Sequence, residues 1–180
     1  VDLKTLLAAS RAIDAVNERI GRMACWLTLI VVFVATANAI LRYGFRFGTN
    51  ALLEMQWYMF ALIFLFGASF TLARGGHVRV DVLYSRQTPR RQAWIDILGG
   101  LFFFLPTTLA LTVLSLPMVA ASISVWETSP DVGGLARWPI KLAIPLAFAL
   151  LTLQGVSEII KRVAFLRGLA PAPVQRRELQ

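Results

Sequence analysis

Charged residues are absent from four long stretches of this chain and crowd into the segments between them. The first uncharged run is "MACWLTLIVVFVATANAIL", residues 23–41, closed by Arg22 and Arg42. The second covers residues 55–73, with Glu54 one position outside. The third covers residues 97–125, and the fourth residues 142–157, between Lys141 and Glu158. About 20 mainly apolar residues cross the hydrocarbon layer of a bilayer as a helix. An isolated span must satisfy its own backbone hydrogen bonds, and none of these runs alternates as a barrel strand does. The pattern therefore predicts an all-α integral membrane protein: a membrane domain over residues 23–160 with spans at about 23–41, 53–73, 96–122 and 140–160.

The flanking segments differ in kind. Residues 1–22 lack the apolar core of a signal peptide. Leu6, Ala9, Ile13, Val16, Ile20 and Met23 recur at helical spacing, while Arg11, Asp14, Glu18 and Arg22 form a charged stripe. This predicts an amphipathic helix that lies on the inner leaflet or against a partner, with a frayed lead-in as the alternative. Residues 161–180 form a basic tail, and its end, "LAPAPVQRRELQ", is Pro-rich and polar enough to be partly disordered.

Composition agrees with the pattern. The chain is 57% hydrophobic and 16% charged, with a mean hydropathy of +0.66, too apolar for a water-soluble globule. Its net charge of +8 is a question of place. The basic residues lie between spans and do not line one helix face with interleaved aromatics, so nucleic acid is not an expected partner. Fourteen of the eighteen Lys and Arg fall in the N-terminal stretch, the 74–91 loop and the tail, against four (Arg42, Arg46, Arg137, Lys141) in the other two loops. The positive-inside rule then puts both termini in the cytoplasm. Trp26 and Trp94 are expected at the inner boundary and Trp57, Trp126 and Trp138 at the outer one, as an aromatic belt. The single cysteine, Cys25, excludes an internal disulfide and sits in an apolar run, where inert packing is expected.

Within the spans, small residues suggest contact stripes: Gly67, Thr71 and Gly75 on the second span, Ala143 and Ala147 on the fourth. Gly75 and Gly76 suit the end of the second helix. Pro106 and Pro117 should bend the third span, whose 97–125 run is about 43 Å of helix, longer than a ~30 Å hydrocarbon core. Pro139 suits the first turn of the fourth helix.

Chemistry is sparse. Channels and carriers place ionisable groups inside the membrane. Here the spans offer Asn38, Gln154 and hydroxyls, with Glu54 and Glu158 at ends. No inverted repeat with broken helices appears, nor any phosphate-cradling loop, nucleophile elbow or zinc motif. His77 and Asp81, four apart, resemble a base with its orienting carboxylate but read as structural, and no cofactor or metal is expected. Glu54 has a candidate partner in Arg42 across the first hairpin; the pair serves local structure or, with the third loop, partner recognition.

Taken in order, "LRYGF", "LEMQWYMFALIFLFGASFTLARGGHVRVDV" and "ETSP…RWPIKLAIPLAFALLTLQGVSEIIK" resemble the small, Q-type membrane subunit of tripartite ATP-independent periplasmic (TRAP) transporters over roughly residues 20–165. Arg42–Tyr43, Glu54 with Trp57, and Gly76–His77 followed by Val80–Asp81 carry the likeness. The resemblance implies a non-enzymatic scaffold in the bacterial inner membrane. Its partners would be a large membrane subunit that binds substrate and sodium, a periplasmic substrate-binding protein that delivers an organic acid, and membrane lipid. Arg42, Tyr43, Glu54, Trp57, Gly67, Thr71, Gly75, His77 and Asp81 become interface or structural candidates, with His77 and Asp81 tethering their loop internally or to the large subunit. Two other readings are a four-helix adaptor of a different membrane complex and an independent oligomeric channel.

Overall fold

A computed structural model describes residues 3–76, 84 and 86–171 of the chain, without the side chain of Lys4. Its elements are helical: α1 (Leu3–Gly44), α2 (Asn50–Ala73), α3 (Pro89–Gly99), a π-helical turn (Gly100–Phe104), α4 (Leu105–Ser124) and α5 (Trp138–Leu166). Four helices are long and apolar enough to cross a membrane, α3, the π turn and α4 counting as one continuous span. Residues 45–49 and 125–137 connect helices at one end, here the loop end. The chain's start, the close of α2 and the close of α5 lie at the other, the terminal end.

The predicted break near residue 22 is absent. α1 runs unbroken for 42 residues, about 63 Å of helix. One seam explains the continuity: Ser10, Asn17, Gly21, Ala24 and Asn38 are buried at spacings built from three, four and seven, the repeat that keeps one face on a neighbouring helix. Ser10 and Asn17, two polar residues of the first 22, thus turn inward. Of the apolar stripe read from the sequence, Ala9, Val16 and Met23 are exposed instead.

α5 is the hub, packing against α1, α2, α3 and α4. A third of its apolar window is buried inside the chain, against 6% for α1. Ala143 and Ala147 are buried on it, as their spacing suggested. The closest helix approaches fall at other glycines than those expected. A Cβ on Gly155 would lie 2.6 Å from the Phe104 ring, and one on Gly21 would lie 2.2 Å from that of Phe70. Gly67 and Gly75 face open space, and the deeply buried small residue of α2 is Ser69. A small residue permits close approach; which one is used depends on where a neighbour's bulky ring falls.

Helix ends and bends follow local chemistry. Beyond α2, Gly75 is left-handed (φ +64°), and the amides of Gly75 and Gly76 donate to the Leu72 and Thr71 carbonyls, a Schellman close. The third span takes a π turn ahead of Pro106. That ring has no N–H for the Phe102 carbonyl and would strike it in a regular α-turn, and the wider π turn makes room. Thr107 and Thr108 hydroxyls donate to the Phe103 and Phe104 carbonyls at 2.7 and 3.1 Å. Pro139 stands in the first turn of α5.

Burial is inverted relative to a soluble protein. Gln154, Asn17, Ser10, Ser69 and Ser157 are fully buried, whereas Trp26, Phe33, Phe60, Phe64, Phe103 and Leu114 are largely exposed. Cys25 is exposed too, so it is not core packing.

Candidate functional site

The polar side chains gather in two clusters, one at each end. At the loop end the Glu54 carboxylate accepts hydrogen bonds from the Ser129 hydroxyl and, at 2.6 Å, from the Leu135 amide. Asn50 donates to the Val132 carbonyl (3.0 Å) and Tyr58 to that of Ala136 (3.2 Å), so one face of the start of α2 holds the 128–136 segment along its length. The segment closes on itself through a Thr128–Ala136 bridge. Gly134 is required there: a Cβ would stand 2.4 Å from Ser129 Cβ and 2.9 Å from a Glu54 oxygen. Below the loop, Glu127 accepts from the Lys141 ammonium and from Ser122 (2.6 Å), and these contacts hold its carboxyl below the usual carboxylate range. Trp126 and Trp138 meet edge to face at 5.7 Å.

At the terminal end the bonds run between helices. Ser10 and Ser157 hydroxyls meet at 2.7 Å. Asn17 donates to Gln154 (2.7 Å), whose amide donates to Asp14 (2.8 Å). Lys161 bonds both Asp14 oxygens and Glu158. Arg162 bridges Glu158 (2.7 Å) and Asp96 (2.6 Å), and Asp96 also accepts from the Tyr84 hydroxyl. Glu18 pairs with Arg74 at 3.0 Å. Each of these acids bonds at least one cation of the chain. The Oδ1 atoms of Asn17 and Asn38 are buried without one.

Several sequence expectations change. Arg42 does not pair with Glu54; it is exposed, its stem against Gly48, because the 128–136 segment occupies the acid. Tyr43 and Trp57 are exposed, Gly67 and Gly75 face open space, and Thr71 is half-buried with its hydroxyl donating to the Gly67 carbonyl. His77 and Asp81, and the tail's last nine residues, lie outside the described residues. Trp26 is not level with Trp94. Glu18 meets Arg74 and Gly21 meets Phe70, so Trp26 stands opposite Leu65 and Phe66, about 12 Å along α2 from Trp57. Trp94 lies beyond the Asp96–Arg162 pair, near the end of α5. A net of polar residues was overlooked: Gln154, Ser157, Glu158, Lys161 and Arg162 on α5, with Ser10, Asp14 and Asn17 on α1. Their common signal was polar residues recurring at three and four along both helices.

Both clusters spend their polar groups inside the chain, and residues 55–73, 97–125 and 142–157 between them carry no charge. One groove of about 400 Å³ separates α2 from α5, with apolar walls such as Ala61, Phe64, Ile140 and Ile144. Fold and clusters define a multi-pass membrane protein whose polar residues fasten its own helices. The family model for the DctQ component of tripartite ATP-independent periplasmic transporters matches residues 31–165. The chain belongs to this family and is the small membrane subunit of a TRAP transporter, a component that works with a large membrane subunit and a substrate-binding protein. Neither curated proteins nor solved structures provide a match.

Proposed function

We propose that this chain is a scaffold: it packs on the static part of the large subunit and stabilises it, while that subunit carries an organic acid and sodium. The periplasmic binding protein delivers the acid. The protein sits in the bacterial inner membrane with the terminal end in the cytoplasm, a sidedness supported by the charge asymmetry. The loop end then faces the periplasm, where Arg42, Tyr43 and the Glu54-held loop are available to the two partners.

The observation that carries this reading is that, among the described residues, ionisable side chains along the buried faces bond partners at the two ends, with none buried between to bind a solute. Trp26 supports a contact face on α1. It is 70% exposed and its indole N–H makes no hydrogen bond among the described residues, so a protein partner can offer it an acceptor where lipid tails cannot.

Uptake by proteoliposomes, with each component omitted in turn, tests the proposal. The small subunit alone moves nothing; all three components with an inward sodium gradient accumulate substrate; omission of the small subunit lowers both uptake and recovery of the large subunit. Solute movement by this chain alone would overturn it. Trp26→Ala should weaken recovery of the large subunit more than Trp26→Phe.

A further inference from the structure

Four acids are described at the terminal end, and each bonds a cation of the chain itself: Asp14 with Lys161, Glu18 with Arg74, Asp96 with Arg162, Glu158 with both Lys161 and Arg162. Several arginines of the same end remain exposed, among them Arg86, Arg90 and Arg91 around the start of α3. The acids are turned inward and this positive charge outward.

On α3 the outward charge heads an ordered column. Arg90 and Arg91 are exposed in the first turn; Trp94 (56% exposed) follows one turn on, then Leu98, then Leu101 and Phe102. At 100° per residue Arg90, Arg91, Trp94 and Leu98 fall within less than a third of the helix circumference, with Leu101 and Phe102 exposed in the π turn that follows; Ala93 and Ile97, buried against α5, lie beside the Arg90 edge of this face. Asp96, the only acid of α3, points off this face to Arg162 and Tyr84. From Arg90 to Phe102 is about 18 Å of helix, close to half of a ~40 Å bilayer counted with its headgroups.

We propose that this face of α3 binds an anionic phospholipid. The two guanidinium groups take the phosphate and the acidic headgroup, the Trp94 ring lies at the ester level, and Leu98, Leu101 and Phe102 line the acyl chain. Charge complementarity selects the headgroup. Zwitterionic lipid offers the same tails and phosphate but no net charge, so selectivity resides in Arg90 and Arg91. This site is independent of the scaffold reading and of which side of the membrane the terminal end faces.

Native mass spectrometry of the full chain in detergent, with added dioleoyl phosphatidylglycerol or dioleoyl phosphatidylcholine, tests the proposal. The wild type retains the anionic lipid preferentially. Arg90→Gln/Arg91→Gln lowers that preference by roughly tenfold, and Trp94→Ala lowers retention of both lipids. Because Arg90 and Arg91 bond nothing among the described residues, the double variant keeps its helix content, which circular dichroism checks. Arg11→Gln/Arg19→Gln, equal in charge but on α1, leaves the preference in place. Equal retention of the two lipids by wild type overturns the proposal, as does a preference that survives in the Arg90/Arg91 variant or falls equally in the α1 variant. If the Arg90/Arg91 variant loses the large subunit while its lipid preference is intact, the face is a protein interface and the lipid site is excluded.

Discussion

At the loop end one acid, Glu54, holds a loop by a backbone amide and a hydroxyl; at the terminal end three acids, Asp14, Glu18 and Asp96, hold side chains from beyond their own helix, and Glu158 braces two of those cations within α5. The difference sets what each cluster fixes. A backbone-held loop keeps one surface in shape and leaves the helix angles to packing. Ion pairs from α5 to α1 and α3 fix how the helices cross. Breaking the terminal cluster should therefore loosen the whole bundle, and breaking the loop cluster should free one segment.

Arg162→Met gives the largest expected effect. Arg162 is buried and bridges Asp96 and Glu158, so its removal takes a cation from two carboxylates at once. Loss of one partner from such a pair costs about 3–5 kcal/mol, to be read as a lower unfolding midpoint in detergent. Adding Asp96→Asn should recover part of it. A midpoint equal to wild type would show that the network lies open to water and that α5 is fixed by packing.

Glu54→Ala should come next, at about 1–3 kcal/mol for the unsatisfied Leu135 amide, together with Gly134→Val, whose side chain has no room beside Ser129. Both should open the 127–137 segment to protease while the terminal end keeps its protection. If both ends loosen together, the two clusters form one cooperative unit and the contrast between them fails.

How much of this was legible in the sequence follows from the same contrast. The spans, the glycine close of α2 and the Pro139 start of α5 are local consequences of hydropathy and backbone chemistry, and the chain states them directly. The partner of Glu54 is not local. Ser129 and Leu135 lie more than seventy positions away, and Arg42, the nearer opposite charge, was the natural guess. Periodicity found an apolar and a charged stripe in residues 1–22, but the residues buried against α5 belong to neither. In water the apolar stripe turns inward, whereas here Ser10 and Asn17 do, because their partners Ser157 and Gln154 wait on α5. The level of Trp26 against the other helices is not local either: a helix continuing to Leu3 sets it through the register of α1 on α2.

That continuity has a test with no energetic cost. With Cys25 replaced by Ser, Ser10→Cys and Ser157→Cys should form a disulfide on mild oxidation, since the two hydroxyl oxygens stand 2.7 Å apart. A mobility shift on a non-reducing gel reports it. A control pair, Ala9→Cys with Ser157→Cys, should not react, because Ala9 faces outward. Bonding of the control pair alone would mean that the N-terminal part of α1 is rotated, with its apolar stripe inward after all.

The smallest effect expected is a dependence on pH confined to the loop end. Lys141 and Ser122 hold the Glu127 carboxyl below its ordinary value near 4.5. A carboxyl depressed in the folded state contributes stability above its unfolded pKa, and that contribution is lost as pH falls through the lower folded value. From about pH 4.5 downward, protonation should release Lys141 and loosen the contact between Trp126 and Trp138. Tryptophan emission, followed with Trp26, Trp57 and Trp94 replaced by Phe, should shift on acidification below that value and return on neutralisation. Glu127→Gln should hold the acid-state emission across the whole range, because its amide cannot form the ion pair. If Glu127→Gln still titrates like wild type, another group governs the tryptophan pair, and the loop end has a second acid-sensitive fastening besides this one.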